Sequence, residues 1–179
     1  VCSSDLAVAD HGRSGDLERA YQALVWGTPP RPMGTIDTWL GRSGRDRTRQ
    51  AVVNESQPDA RHAVTHYTVR GRFGEKPDAT TLASLIECRL ETGRTHQIRV
   101  HMAHIGHPLI GDRDYGAAFL SKANRLPEPL KGLVSGFGRQ ALHAWLLAFR
   151  HPTTHMLLRF EAPMPEDMAQ LLAAFRAAE

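Results

Sequence analysis

The chain reads as a single α+β domain, and three observations predict it. Residues 20–26 (AYQALVW) and 84–91 alternate apolar and polar side chains, the two-residue period of strands. From Thr95 the period lengthens, and Ile98, Met102 and Ile105 fall on one side of a helix. A second helical stripe, Met168, Leu171, Leu172 and Phe175, closes the chain. At 179 residues one domain with a sizeable core is expected.

Taken in order, residues 7–27 read as a helix end, a Gly/Ser loop and a strand. That strand sets Tyr21, Ala23 and Val25 on one face and Gln22, Leu24 and Trp26 on the other. Residues 28–50 are Pro/Gly-rich, then carry a short strand-like piece and a basic turn, with Asp37 read as a structural turn residue. RHAVTHYTVRGRF at 61–73 reads as a further strand pair with Tyr67 in the core.

In the next strand Leu85, Ile86, Cys88 and Leu90 interleave with Glu87, Arg89 and Glu91. Gly93 breaks the pattern, Thr95 is placed to cap the helix, and Gly106 followed by Pro108 ends it. Arg94 therefore sits at a strand-to-helix turn, where a guanidinium can hold a carboxylate or phosphate bidentately. Residues 117–140 read as a surface loop whose Lys122, Arg125, Lys131 and Arg139 suit contact with an RNA backbone. An apolar segment follows at 141–152, then a closing strand, HMLLRFEAP. Pro165 opens the last helix, with Glu166 and Asp167 in its first turn favourable to the helix dipole.

Net charge is only +3, but residues 41–72 set seven arginines, among them Arg47 and Arg49, against three acids. A local arginine surplus suits a polyanion such as RNA. No apolar run approaches a membrane span, and no secretory signal is evident. Cys2 and Cys88 are too few and too far apart for a disulfide framework or a zinc ribbon, which fits a reducing cytoplasm. His96, His101, His104 and His107 lie close together, but no HExxH glutamate or Cys pair accompanies them, so no metal is expected. A metal-dependent hydrolase is the outlying alternative.

The pattern LxTGRTHQIRVHxAxxGHPxxGDxxYG, spelled here from Leu90 through Asp112, Tyr115 and Gly116, closely resembles the signature of the RluA/RluD-type RNA pseudouridine synthases. AYQALVWG at 20–27, GTID at 34–37, THYTV at 65–69 and ALHAWLLAFRHP at 141–152 follow in the family's order. The resemblance covers about residues 7–179, and residues 1–6, VCSSDL, fall outside it as foreign sequence. It implies a mixed, largely antiparallel sheet flanked by helices and loops, with a cleft across its middle.

The resemblance also implies roles. Tyr21 is the active-site tyrosine, stacked against the target uracil and removing the C5 proton, tasks that a phenol suits. Arg94 pairs with the catalytic aspartate. Leu142 is the candidate aliphatic contact with the base, and His143 a buried hydrogen-bonding residue beside the pocket. Arg47, Arg49, Thr95, His96 and Gln97 are candidate substrate-binding positions. Trp39 stands where the family has a proline, a change expected at a turn. No cofactor is implied. The implied partner is structured RNA, most simply large-subunit (23S-type) rRNA with tRNA left open; a monomer is compatible with such activity.

One family element is missing. The nucleophilic aspartate belongs to an RLDxxTSG motif upstream of the tyrosine, and that motif does not occur in these residues. A strand of ~5–6 residues, a helix of ~11–12 and their loops together need roughly 25 residues between the two. Asp5, Asp10 and Asp16 are all too close to Tyr21. The expectation is an N-terminally truncated catalytic domain, inactive alone and with Arg94 left uncompensated in a cleft. A catalytically silent RNA-binding remnant is the alternative.

Overall fold

The computed structural model describes residues 17–75 and 81–178; the expected helix end and Gly/Ser loop lie outside them. Seven strands form one sheet: β1 (Leu17–Trp26), β2 (Met33–Arg42), β3 (Gln50–Val53), β4 (Arg61–Glu75), β5 (Thr81–Leu90), β6 (Leu142–Arg150) and β7 (Leu157–Glu161). Their order is β3-β2-β4-β5-β1-β6-β7, and every neighbouring pair is antiparallel. Four α-helices are described: α1 (Gln97–His104), α2 (Leu120–Ala123), α3 (Leu130–Gly136) and α4 (Glu166–Ala177). Among the described residues no helix is long and apolar enough to cross a membrane.

The alternation read from β1 is the alternation that builds the core. Ala23 and Val25 join Ile36, Tyr67, Ile86 and Cys88 beneath α1, which contributes Ile98 and Met102. Leu24 and Trp26 face the other way, into Phe73, Ala83 and the α4 stripe of Met168, Leu171, Leu172 and Phe175. Trp26 meets Phe175 edge-on at 6.5 Å between ring centres. Each such buried aliphatic or aromatic side chain contributes roughly 1.5–3 kcal/mol by leaving water. In β5 the expected set divides: Ile86, Cys88 and Leu90 pack toward α1, whereas Leu85 packs toward α4.

Four local expectations are corrected. Residues 61–73 are not a strand pair but part of one fifteen-residue strand, β4. Its pairing with β5 shifts between Val69 and Gly71, so Arg70 is an extra residue in a bulge. Residues 33–42 form a full ten-residue strand, which puts Asp37 and Trp39 in mid-strand. Asp37 there accepts a hydrogen bond from His62 Nε2 at 2.6 Å, and the Trp39 ring lies 5.2 Å from the His62 ring. Residues 117–140 are more than a surface loop, because Ala123, Leu126, Leu130, Val134 and Phe137 are buried in the α4-side core. Finally, Thr95 does not cap α1. The residue before the helix is His96, in the left-handed conformation at φ +57°, with no side-chain cap hydrogen bond.

Candidate active site

Tyr21 sits near the middle of β1, with Cys88 of β5 on one side and Ala144 of β6 on the other. The pairing with β6 slips by a residue between Ala20 and Tyr21, and such irregularities re-aim side chains. Tyr21 is half-buried and packs with Leu142, Leu90 and Ile105 against the cluster under α1, while Ala144 opposite it is exposed. The result is an aromatic and aliphatic shelf open at one side. Burial pushes the neighbouring Cys88 thiol up to about 12, aided by Glu87, so it is an inert core residue.

The turn after β5 is organised by Gln97. Its Oε1 accepts from Arg94 N at 2.9 Å and from the Thr92 hydroxyl at 2.8 Å. Its Nε2 donates to Val64 O at 2.9 Å and to Thr65 Oγ1 at 3.0 Å. With 2% exposure and every hydrogen-bonding position spent, Gln97 is a bracket between turn and sheet. Arg94 is exposed, and its Nε donates to His62 O at 2.9 Å. Its two terminal amino groups have no hydrogen-bond partner among the described residues. The expected uncompensated buried cation is therefore a solvated one, hydrogen-bonded at one edge.

The buried ion pair lies five residues on. Arg99 Nε donates to Asp112 Oδ2 and Arg99 Nη2 to Asp112 Oδ1, both at 2.7 Å; Nη2 also reaches Asp114 Oδ2 at 2.7 Å. The guanidinium carbon lies 4.8 Å from the centre of the Tyr115 ring. Burial alone would raise the Asp112 carboxyl, but Arg99 and the backbone N–H groups of Tyr115 and Asp114 outweigh it and hold the group below the usual carboxylate range. The Tyr115 hydroxyl accepts Gln50 N at 3.1 Å and bonds His96 Nδ1 at 2.9 Å. The turn before α1, the 112–115 segment and β3 are thus tied together. Sequence reading missed this network, although the spacing of Arg99, Asp112 and Tyr115 sits inside the quoted motif.

The remaining candidates separate. Arg49 is engaged within the protein, donating to Asp114 O at 2.6 Å and pairing with Asp46 at 3.1 Å. Arg47 is exposed and lines a cavity of about 400 Å³ with Arg42, Ser43, Gly44, Gln57, Pro58 and Asp59. Thr95 and His96 are exposed at the helix entry. His143 is half-buried and donates from Nε2 to Ala162 O at 3.0 Å. The other histidines disperse: His101 is buried between Thr38 and Thr65, and His107 Nδ1 donates to Trp26 O at 2.9 Å. Among the described residues no three His, Cys, Asp or Glu side chains are grouped to hold a metal ion.

The family model for RNA pseudouridylate synthases matches residues 4–104. The chain belongs to that family. It is 46% identical over 171 residues to ribosomal large subunit pseudouridine synthase D of Xylella fastidiosa (strain Temecula1), covering 95% of this chain and 47% of that protein. It is 44% identical over 165 residues to the protein of the same name in Vibrio cholerae, covering 90% and 46%. The chain thus spans about half the length of these curated relatives. The fold matches human RNA pseudouridylate synthase domain containing 1 at a TM-score of 0.64 and 22% identity, over 99% of this chain and 73% of that one. The pseudouridylate synthase fold is here an α+β arrangement whose described sheet is wholly antiparallel.

Proposed function

We propose that these residues carry the tyrosine-and-arginine part of a site that isomerises uridine to pseudouridine in RNA. The observation that carries the reading is the placement of Tyr21. It lies on the α1 side of the central strand, packed with Leu142 against one apolar cluster, while the turn that opens α1 holds Arg94 with two unspent amino groups. A uracil turned out of the RNA would stack on the phenol and against Leu142. A carboxylate assists cleavage of the bond between N1 and the ribose C1′. The detached base turns and forms the C5–C1′ bond, the proton leaving C5 passes through the Tyr21 hydroxyl to solvent, and N1 takes up a proton from solvent in its place. Arg94 holds the carboxylate ionised and oriented. No metal or cofactor enters this scheme.

The names of the relatives support large-subunit rRNA as the substrate. RLDxxTSG is absent from these residues, so the carboxylate must come from elsewhere. RNA carrying tritium at uridine C5 tests this. The 179 residues alone bind it without releasing tritium, and release begins when a polypeptide bearing RLDxxTSG is added. Release by the 179 residues alone would disprove the missing carboxylate, and absence of RNA binding would disprove the RNA function. The second reading is RNA binding without chemistry. It is favoured by Arg94 resting on His62 O, and it predicts no release even after complementation.

A further inference from the structure

Arg19 stands two residues before Tyr21 on β1, so strand alternation puts both side chains on the α1 side of the sheet. An independent observation agrees. A β-carbon built on Gly93 would run into Arg19 Nη1, with Cζ at 3.2 Å and Nη2 at 3.4 Å. The guanidinium therefore lies against Gly93, the residue that precedes Arg94. A side chain at 93 would displace that cation, because the guanidinium occupies the space a β-carbon would take.

Arg19 Nε is buried and has no hydrogen-bond partner among the described residues. Among the described residues no carboxylate lies within ion-pair distance of Arg19, whereas Arg89 and Arg159, on the opposite face of the sheet, share Glu18, Glu87 and Glu161. The two terminal amino groups are not sealed in the same way and have no partner among the described residues, so they are open to a ligand. The ligand must be an oxyanion, since the fork offers only donors and carries a permanent charge.

We propose that Arg19 seats a backbone phosphate of the nucleotide whose base stacks on Tyr21, with Gly93 kept bare so that the guanidinium can rest there. The two residues are spaced about 6.7 Å along the strand, comparable with the reach from a base to its own phosphate. Arg94 on the far side of Gly93 adds positive potential. The assignment rests on the isomerase reading above and deepens it by naming what holds the sugar–phosphate chain still while the base turns.

The test is RNA affinity as a function of KCl concentration, using the whole chain and a fluorescein-labelled stem-loop with a loop uridine. Arg19→Met keeps the apolar stem but lacks the donors. It lowers affinity roughly ten-fold and makes the salt slope shallower by about one. Arg19→Lys keeps the slope and loses part of the affinity. Gly93→Ala pushes the guanidinium aside and reproduces Arg19→Met, and the double variant adds nothing further.

A folded Arg19→Met with unchanged affinity and slope overturns the proposal and leaves the RNA reading standing. A wild type that binds no RNA overturns the RNA reading. Inorganic phosphate then decides the seat: a rise in Tm for the wild type but not for Arg19→Met keeps an oxyanion site and removes RNA as its occupant. No rise in either removes both.

Discussion

Arg99 and Asp112 meet side-on, two parallel hydrogen bonds of 2.7 Å joining a carboxylate with no exposed side-chain surface to a guanidinium 9% exposed. The same carboxylate accepts Asp114 N at 3.0 Å and Tyr115 N at 3.1 Å. It therefore closes its own loop while it anchors the helix that leads away from Arg94.

Replacing Asp112 with alanine leaves a charged Arg99 inside the protein with only Asp114 to answer it. A loss of about 3–5 kcal/mol is expected, as for other broken buried pairs, measurable by urea unfolding. Acid has the same target. The folded-state pKa of Asp112 is depressed, so its contribution is full above the unfolded value of about 3.9 and is lost as pH falls through the lower folded value. Asp112→Asn should therefore remove part of the stability change seen below about pH 4.

His101 gives the second pH dependence, in a higher window. Desolvation, with a smaller push from His104 and some opposition from Asp37, lowers its pKa from 6.5 to about 4. The folded protein keeps it neutral between Thr38 and Thr65, while the unfolded chain takes up a proton below 6.5. Its contribution is thus complete above pH 6.5 and is lost as pH falls toward 4, by on the order of 3 kcal/mol in all. His101→Gln should flatten the dependence between pH 4.5 and 7 relative to wild type; equal slopes would refute this account.

Tyr115→Phe deletes the hydroxyl shared by Gln50 N and His96 Nδ1 but keeps the ring beneath Arg99. The expected cost is about 1–2 kcal/mol. Because His96 is held at φ +57°, hydrogen exchange at the 94–97 amides should rise more than exchange elsewhere.

At Gly111, φ is +77° and a β-carbon would collide with the carbonyl oxygen of Arg139. The obstacle is backbone, with no rotamer to yield. Gly111→Ala should cost more than 3 kcal/mol or prevent folding, whereas Gly106→Ala meets nothing within 4 Å and pays only for its φ of +87°.

Much of this was legible in the sequence because burial follows period. Tyr21, Ala23 and Val25 against Leu24 and Trp26, and the stripe from Met168 to Phe175, fell where alternation and helical spacing placed them. The misreadings occurred where glycine or polar residues sat inside a strand that its neighbours hold extended. Residues 61–73 read as a strand pair but form one strand with a bulge before Gly71, and Asp37 reads as a turn residue but is satisfied by a cross-strand histidine. The site was legible in residue identity and less so in contact. Motif spacing picked out Arg94 and Gln97, but nothing in one dimension shows that Gln97 spends all four hydrogen-bonding positions indoors. Arg19 was equally hidden, because only the folded chain brings it against Gly93.

The strand that bears Tyr21 is the first described one in the chain, yet its two neighbours, β5 and β6, begin at residues 81 and 142. During synthesis it is unpaired on both edges until β5 has left the ribosome, and its second edge stays open until β6 follows. Such distant closures form slowly. The Leu142 side of the pocket is thus among the later parts to assemble, and a ribosome-bound intermediate would hold β1 paired with β5 before it held a complete surface for a uracil.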